Sequence, residues 1–316
     1  MALRPLGKTG LDIVPLVFGG NVFGWTVDEK TSFALLDAFV DAGLNAIDTA
    51  DVYSAWAPGN SGGESETIIG KWLKANPAKR DKVLILTKVG AALGKPEKDL
   101  SAPWIASSVE GSLRRLGVDR IDLYQSHWYV AGAGNDETLG AYAKLLKAGK
   151  VRAIGCSNFD AAQLAAALKT ADEHGLPRYQ TLQPEYNLFD RGGFDAALQE
   201  LVLRESIGVI TYYSLASGFL SGKYRSSADL AKSARGEGIA KYLNPRGMRI
   251  LDALGAVASQ HAAKPAEVAL AWLIAQKAVT APIASATNLE QMASLVRAVH
   301  LSLTPQDLTL LDTASA

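Results

Sequence analysis

Four side chains that can hold or transfer a proton stand at or just after the ends of short apolar segments: Asp48, Tyr53, Lys88 and His127. A tyrosine hydroxyl has a pKa near ~10, so it is too weak an acid for neutral pH unless its surroundings lower that value. A lysine ammonium within about 4–6 Å lowers the pKa of a tyrosine by roughly 1–3 units, and a carboxylate keeps that lysine charged. We therefore predict that Lys88 and Asp48 activate Tyr53 as a proton donor, and that His127 orients the oxygen that receives the proton.

A carbonyl group suits such a donor, provided that its carbon receives a hydride from a nicotinamide cofactor. The sequence has four histidines without a His-x-His or His-Glu-x-x-His motif, and a single cysteine, Cys156. We therefore expect no metal site and no internal disulfide. Each of the four residues also has an ordinary structural explanation when taken alone, and only their shared position favours catalysis.

Short apolar runs of strand length alternate with segments of helical period along the chain, which is typical of a repeated βα unit. The predicted strands cover residues 16–19, 44–48, 83–88, 121–126, 151–156, 181–184, 209–212 and 279–283. Eight such units predict an α/β fold, a (β/α)8 TIM barrel, whose strands present their carboxyl ends on one face. That face would bring the four residues into one pocket. No Gly-x-Gly-x-x-Gly motif follows a strand, which argues against a Rossmann domain.

Further elements frame this predicted barrel. A Lys8-Thr-Gly10 turn between residues 3–6 and 11–14 predicts an N-terminal β-hairpin that closes the barrel floor. The segment 214–246 is the longest irregular stretch, and loops of that length are usually functional. We expect one domain over residues 1–316, with extra C-terminal helices. The predicted helices cover residues 29–42, 64–75, 103–116, 137–148, 160–173, 193–206, 248–262, 265–276, 289–299 and 305–313.

The composition favours a small-molecule partner. The 32 basic residues balance the 32 acidic ones, which excludes the charge footprint of a typical nucleic-acid binder. Residues 1–10 have no apolar core of signal length, and the sequence has no polybasic run and no apolar run near the ~18 residues that a membrane span requires. We therefore expect a cytoplasmic protein without a nucleic-acid or membrane partner, whose oligomeric state stays open.

Several segments resemble motifs of the aldo-keto reductase family and occur in the family's order. They are NAIDTADVY at 45–53, LTKV at 86–89, SLRRLGVDRIDLY at 112–124 followed by His127, GCSNF at 155–159 and QPEYN at 183–187. The resemblance implies a TIM-barrel oxidoreductase that reduces aldehydes or ketones to alcohols, or the reverse, with NAD(P)H. It also implies that Tyr53 is the general acid/base, tuned by Asp48 and Lys88, and that His127 orients the carbonyl.

The resemblance further implies where the cofactor binds. Side-chain amides and hydroxyls after strands five and six would hold the nicotinamide carboxamide, and Tyr212 would stack on its ring. The loop 214–223 would fold over the pyrophosphate. The implied cofactor-binding residues are Gly20, Asn21, Asp48, Ser157, Asn158, Gln183, Tyr212, Ser214, Leu215, Ser217, Lys223, Ser285, Glu290 and Gln291.

The region near the last predicted strand departs from the family pattern. Many relatives carry an Arg or Lys there for the 2′-phosphate of NADP, whereas this chain has Ser285, Thr287 and Asn288. The resemblance favours NADP(H), and NAD(H) stays open because no such cation is seen. Lys223, Arg225 or Arg297 are the candidates that could replace it.

Aromatic residues in the predicted mouth loops, Trp25, Trp56, Trp128 and Tyr129, predict an apolar substrate pocket for aryl or medium-chain carbonyl compounds. Two other functions are compatible with parts of the sequence. Lys88 could form a Schiff base as in barrel aldolases, although the cofactor residues would then be superfluous. The chain could also be a binding or regulatory protein that retains the cofactor pocket, since relatives include ion-channel subunits.

Overall fold

A short antiparallel hairpin precedes a closed barrel of eight parallel strands in the computed structural model, which describes residues 2–94, 96–232 and 236–316. Each barrel strand pairs with its predecessor in sequence, and the last strand closes the ring on the first. The predicted TIM barrel is confirmed. The strands are β1 (Arg4–Pro5), β2 (Asp12–Ile13), β3 (Val17–Gly19), β4 (Ala46–Asp48), β5 (Leu84–Val89), β6 (Ile121–Ser126), β7 (Val151–Ser157), β8 (Thr181–Gln183), β9 (Gly208–Thr211) and β10 (Ala281–Ala284).

Amphipathic helices cover the outside of the barrel, and their apolar faces form the larger core with the outward side chains of the strands. Several begin at a side chain that caps the first turn, as Asp28 and Asp160 do by accepting hydrogen bonds from Thr31 and Gln163. The helices are α1 (Glu29–Asp41), α2 (Glu64–Ala75), α3 (Ala102–Leu116), α4 (Asn135–Lys147), α5 (Ala161–His174), α6 (Ala196–Glu205), α7 (Pro245–Gln260), α8 (Pro265–Ala275), α9 (Leu289–His300) and α10 (Pro305–Ser315). None of the helices in the described ranges has the length and apolar character needed to cross a membrane.

Alternation of side chains along the strands separates an apolar floor from a polar mouth. A second apolar cluster fills the barrel interior and includes the hairpin, as predicted for the floor. Its members are Leu6, Leu11, Ile13, Val17, Ala46, Leu86, Leu123, Ala153, Ile210, Ala281 and Ile283. Side chains two residues apart share a face of a strand, so Asp48 and Lys88 follow Ala46 and Leu86 toward the carboxyl ends.

Two predicted segments differ from the structure. The helix predicted over 193–206 is divided into a 3₁₀ turn, Gly192–Phe194, and α6, because the carboxylate of Asp195 accepts from the Leu198 N–H and restarts the helix. The segment 214–246 contains the 3₁₀ turns Ala216–Ser221, Ser227–Lys232 and Glu237–Tyr242, and α7 already begins at Pro245. The single-domain assignment of residues 1–316 stays a prediction.

Candidate active site

The structure brings Asp48, Tyr53, Lys88 and His127 together at the carboxyl ends of the strands, and we call them the four-residue cluster. Asp48 ends β4 and Lys88 lies in β5, which pair in parallel. His127 directly follows β6, and its backbone N–H donates to the carbonyl of Val89 at 2.8 Å. Neighbouring strands thus deliver three of the four residues, and the loop after β4 delivers Tyr53.

Lys88 is the centre of this cluster. Its ammonium donates to Asp48 Oδ2 at 2.7 Å, to the Tyr53 hydroxyl at 2.8 Å and to the backbone carbonyl of Thr49 at 2.9 Å. The Lys88 side chain is fully buried, so these contacts replace its hydration. Gln183 donates to the other oxygen of Asp48 at 2.9 Å, which fixes the plane of the carboxylate.

The protonation of Tyr53 differs from the sequence-based expectation. Burial raises the pKa of Tyr53 well above its ordinary value, and the negative charge and hydrogen bond of Asp48 raise it further. The predicted lowering of this pKa is therefore wrong for the structure, because burial and the negative charge of Asp48 both favour the neutral hydroxyl. The hydroxyl therefore keeps its proton at neutral pH.

His127 is held as a neutral ring. Burial lowers its pKa well below the ordinary value, and the positive charges of Lys88 and Lys98 lower it further. Its ring lies edge-on to that of Tyr53, with centroids 6.0 Å apart. The buried Nδ1 atom has no hydrogen-bond partner among the described residues. A neutral imidazole retains one N–H and can donate it without adding charge.

Three of the four predicted pocket aromatics lie beside the cluster. Trp56 packs edge-to-face on both Tyr53 and Trp25, with centroid distances of 6.0 and 5.7 Å. Trp128 stacks on the His127 ring at 6.0 Å. Tyr129 instead packs on Phe159 at 5.4 Å in the outer core, so its predicted place in the pocket is not supported. Contact with Phe159, a buried member of the larger core, holds the Tyr129 ring there.

The predicted carboxamide residues form a hydrogen-bonded group after β7 and β8. Asn158 donates to the backbone carbonyl of His127 at 2.9 Å and accepts from the Tyr212 hydroxyl at 2.7 Å. It adopts a left-handed backbone with φ of 60°, which asparagine tolerates well. Ser157 donates to the Gln183 carbonyl at 2.8 Å. These amides and hydroxyls can pair with both ends of a carboxamide, so their chemistry fits a nicotinamide.

Gly20, Asn21 and Ser285 also come together, on the loops after β3 and β10. The Ser285 hydroxyl contacts the Asn21 side chain and the Gly19 carbonyl, each at 2.7 Å. A side chain at Gly20 would collide with Ser65 and the backbone of Asp48. The loop therefore approaches the cluster closely only because residue 20 is glycine.

The predicted pyrophosphate loop turns sharply after β9. Ser217 and Gly218 have successive positive φ values of 57° and 101°. Ser214 is buried and donates to the Thr211 carbonyl, whereas Lys223 is exposed with its ammonium 5.0 Å from the Tyr224 ring. Leu215 packs on the larger core. Ser214 and Leu215 thus stabilise the turn and leave its outer residues accessible.

Three basic residues, Lys223, Arg225 and Arg297, were candidates to bind the 2′-phosphate of NADP, and two of them already form ion pairs. Arg225 pairs with Asp252 at 2.5 Å and Arg297 with Glu267 at 2.7 Å, so carboxylates already hold both. Lys223 has no such carboxylate partner among the described residues.

One cation that sequence reasoning missed lies beside Glu290 and Gln291, which are predicted to contact the cofactor. Lys264 binds Glu290 at 2.6 Å, and the side chain of Gln291 accepts from the Thr287 N–H at 2.8 Å. No sequence signal pointed to Lys264, because it lies far from Glu290 along the chain and only the packing of α8 against α9 brings the two together.

Comparison with known proteins agrees with this geometry. Residues 15–316 match the profile described as the Aldo/keto reductase family. The chain belongs to the aldo-keto reductase family. It is 34% identical to the uncharacterized oxidoreductase YrpG of Bacillus subtilis (strain 168), over 97% of this chain and 94% of that protein. It is 30% identical to the aldo-keto reductase AMT2 of Alternaria alternata, over 97% of this chain and 89% of that protein.

A third relative carries a different kind of name. The chain is 31% identical to a probable voltage-gated potassium channel subunit beta of Oryza sativa subsp. japonica, over 97% of this chain and 94% of that protein. Together the family and these relatives support a carbonyl-reducing oxidoreductase. Aldo-keto reductases use nicotinamide cofactors, so the family also implies one here.

Proposed function

We propose that this protein reduces aldehydes or ketones to alcohols, or catalyses the reverse reaction, with NAD(P)H and with Tyr53 as general acid/base. One observation carries the proposal: the buried ammonium of Lys88 contacts Asp48 at 2.7 Å and the Tyr53 hydroxyl at 2.8 Å. An acid whose conjugate base is stabilised in advance by a fixed charge is the device that carbonyl reduction requires.

The proton steps follow from this geometry. A bound nicotinamide supplies the hydride that reaches the carbonyl carbon. Tyr53 gives its phenolic proton to the carbonyl oxygen, which completes the alcohol and leaves a phenolate. Lys88 stabilises that phenolate, while Asp48 balances the charge of the lysine. Neutral His127 donates a hydrogen bond to the same oxygen and so fixes its direction.

The cofactor would lie between Tyr212 and the loops after β3, β7 and β8. Ser157, Asn158 and Gln183 would hold the carboxamide, with Gly20, Asn21 and Ser285 on the opposite side. We propose NADP(H) as the preferred cofactor, with Lys223 as the phosphate partner, because Arg225 and Arg297 are already paired. Ser217, Glu290 and Gln291 would complete the nucleotide site.

The substrate would be an apolar carbonyl compound. Trp25 and Trp56 would form one wall and Trp128 the other, with Lys98 lying 3.9 Å above the Trp128 ring. Aromatic walls bury a substrate ring without demanding specific hydrogen bonds. We propose aryl and medium-chain aldehydes and ketones as the substrate class.

The test is cofactor oxidation by the purified protein with para-nitrobenzaldehyde, comparing NADPH with NADH. Tyr53→Phe should lower kcat by roughly 10²- to 10⁴-fold, because it removes only the proton that is transferred. The dissociation constant of the cofactor, measured by fluorescence quenching, should stay unchanged. Tyr213→Phe is the matched control, since it removes a hydroxyl from a half-exposed ring at the same face.

Other outcomes would favour the alternative functions. Near-normal turnover of Tyr53→Phe would refute the role given to Tyr53. A borohydride-trapped adduct at Lys88 would favour Schiff-base chemistry, which the burial-lowered pKa of Lys88 makes worth testing. Saturable cofactor binding without turnover on a broad carbonyl panel would favour a binding or regulatory protein; the rice relative is named as a probable potassium channel subunit.

A further inference from the structure

A cation that no carboxylate of the described chain neutralises lies at the substrate end of the mouth. Lys98 belongs to the loop between β5 and α3, and its ammonium lies 3.9 Å from the centre of the Trp128 ring. The residue is exposed and has no ion pair or hydrogen bond among the described residues. The buried ammonium of Lys88, by contrast, is matched by Asp48 at 2.7 Å. The charge of Lys98 is therefore available to a ligand.

The surroundings of Lys98 hold it in place. Its neighbour Asp99 accepts a hydrogen bond from the Ser101 N–H at 2.8 Å, just before α3 begins, and Leu100 is buried in the larger core. A cation–π contact with Trp128 attracts the ammonium at an exposed site and leaves its charge unneutralised. The loop thus presents a charged group at a defined position over the aromatic wall.

A row of rings connects Lys98 with the proposed proton donor. The centroids of the Tyr53 and His127 rings are 6.0 Å apart, and those of His127 and Trp128 are also 6.0 Å apart. The His127 and Trp128 rings are nearly parallel, with an angle of 15° between their planes. A substrate whose carbonyl group lies at Tyr53 and His127 can therefore extend along Trp128 to Lys98.

The exposure of Lys98 suits it to bind an anion. An ion pair at the rim keeps part of its hydration, so it avoids the large desolvation cost of a buried pair. A single ammonium matches the single negative charge of a carboxylate, whereas a phosphate dianion is best bound by several cations. The adjacent aromatic wall accepts the apolar part of the same molecule.

We propose that Lys98 binds a carboxylate at the end of the substrate that is remote from its carbonyl group. The inference rests on the proposed reduction and narrows its substrates to aryl aldehydes and ketones that carry such an acidic group. The ring of the substrate would lie against Trp128, and its carboxylate would accept a hydrogen bond from the Lys98 ammonium. This contact transfers no proton or electron, so Lys98 determines specificity.

Two aldehydes of similar shape test the proposal. Para-formylbenzoate carries a carboxylate where para-nitrobenzaldehyde carries a nitro group without net charge. In Lys98→Met, the ratio of kcat/KM for para-formylbenzoate to kcat/KM for para-nitrobenzaldehyde should fall by about fivefold, as expected for the loss of one exposed ion pair. The change should lie in KM for para-formylbenzoate, because the carboxylate is bound equally before and during hydride transfer.

Two control variants and a binding measurement complete the design. Lys98→Arg keeps the positive charge and should restore most of the ratio. Lys74→Met removes the same charge from an exposed lysine in the last turn of α2, away from the mouth, and should leave the ratio unchanged. The dissociation constant of para-hydroxymethylbenzoate is measured by calorimetry with NADPH present, because an alcohol and a reduced cofactor cannot react. It should rise by about fivefold in Lys98→Met.

The outcomes separate this proposal from the proposed reduction. A wild type that reduces both aldehydes, with the same ratio in Lys98→Met, would overturn the role of Lys98 alone. An equal fall of the ratio in Lys74→Met would also overturn it, because net charge would then explain the effect. Absent turnover, with weaker binding of para-hydroxymethylbenzoate in Lys98→Met, would refute the reduction and support the anion site. Equal binding to both proteins, or no binding to the wild type, would overturn the anion site.

Discussion

The two ends of the barrel treat buried charge in opposite ways. At the floor, the Asp122 carboxylate accepts from Arg80 at 3.1 Å, from Arg152 at 2.9 Å and from the Ile85 N–H at 2.9 Å. At the mouth, the carboxyl of Asp51 is just as buried and has no hydrogen-bond partner among the described residues. A buried aspartate therefore has hydrogen-bond partners at the floor, whereas the one at the mouth has none among the described residues.

The difference separates a stabilising end of the barrel from the end that holds the candidate active site. The floor combines paired charges with the apolar hairpin cluster, and both contribute stability. The mouth holds desolvated groups whose pKa values are displaced, namely Tyr53 and Asp51 upward and Lys88 and His127 downward. Displaced pKa values of this kind are common at active sites.

The largest expected effect is at the mouth. Lys88→Met and Asp48→Asn should each lower kcat by roughly 10²- to 10⁴-fold, because each removes the charge arrangement that supports Tyr53. The double variant should lose little more than either single one, since the two residues act as a unit. Single-turnover kinetics of the three variants check this. Multiplicative losses would mean that the two residues act independently.

A floor variant should show the reverse pattern. Asp122→Ala should lower the free energy of unfolding by about 3 kcal/mol, because it leaves two partly exposed arginines and a buried N–H without their acceptor. Turnover per folded molecule should stay at the wild-type level. Urea denaturation and kcat measured on the same sample test both statements. A large fall in kcat would contradict the statement that the floor contributes to stability and not to turnover.

The hairpin offers a second test of the floor. Gly7 has a φ of 60°, and a Cβ atom there would collide with the Gln180 carbonyl and the backbone of Gly208. Gly7→Ala should therefore lower the free energy of unfolding by about 2 kcal/mol without changing KM or kcat. Gly10→Ala is the control, because its φ of 70° is similar but no atom lies in the way. Equal losses in both variants would assign the effect to the backbone angle alone.

The preference for NADPH over NADH tests the role of Lys223 at the mouth of the barrel. Lys223→Met should raise KM for NADPH by about fivefold and leave KM for NADH unchanged, since an exposed ion pair is worth at most ~1 kcal/mol. Lys277→Met, an exposed lysine that precedes β10 at the floor end, is the control. Equal effects on both cofactors would remove Lys223 from the 2′-phosphate site.

The smallest expected effect concerns acid pH. Because the pKa of His127 lies well below its ordinary value, the ring stays neutral in the folded protein as the pH falls through ~6.5. Its folded pKa is the lower one, so its stabilising contribution is complete above ~6.5 and declines below that value. We expect kcat to change by less than about twofold between pH 8 and pH 6. A fall with a midpoint near ~6.5 that disappears in His127→Gln would contradict this.

The sequence determined the elements and the chemistry-bearing residues. Alternating apolar runs predicted eight strands, and the observed β3 to β10 lie within or beside them, because strand and helix periods are local properties. The position of Asp48 and Lys88 at the ends of their predicted strands placed them toward the mouth. Shared strand ends predicted the meeting of the four-residue cluster, since parallel strands present their carboxyl ends on one face.

Only the tertiary structure decided how these groups are charged and which neighbours they have. The direction of the Tyr53 pKa depends on burial by surrounding elements and on the charge of Asp48. The pairing of Arg297 with Glu267 and the unpaired carboxyl of Asp51 depend on contacts between residues far apart in the chain. Desolvation and long-range charge are properties of the packed molecule, so residue type and spacing determine what can react, and packing determines its protonation state.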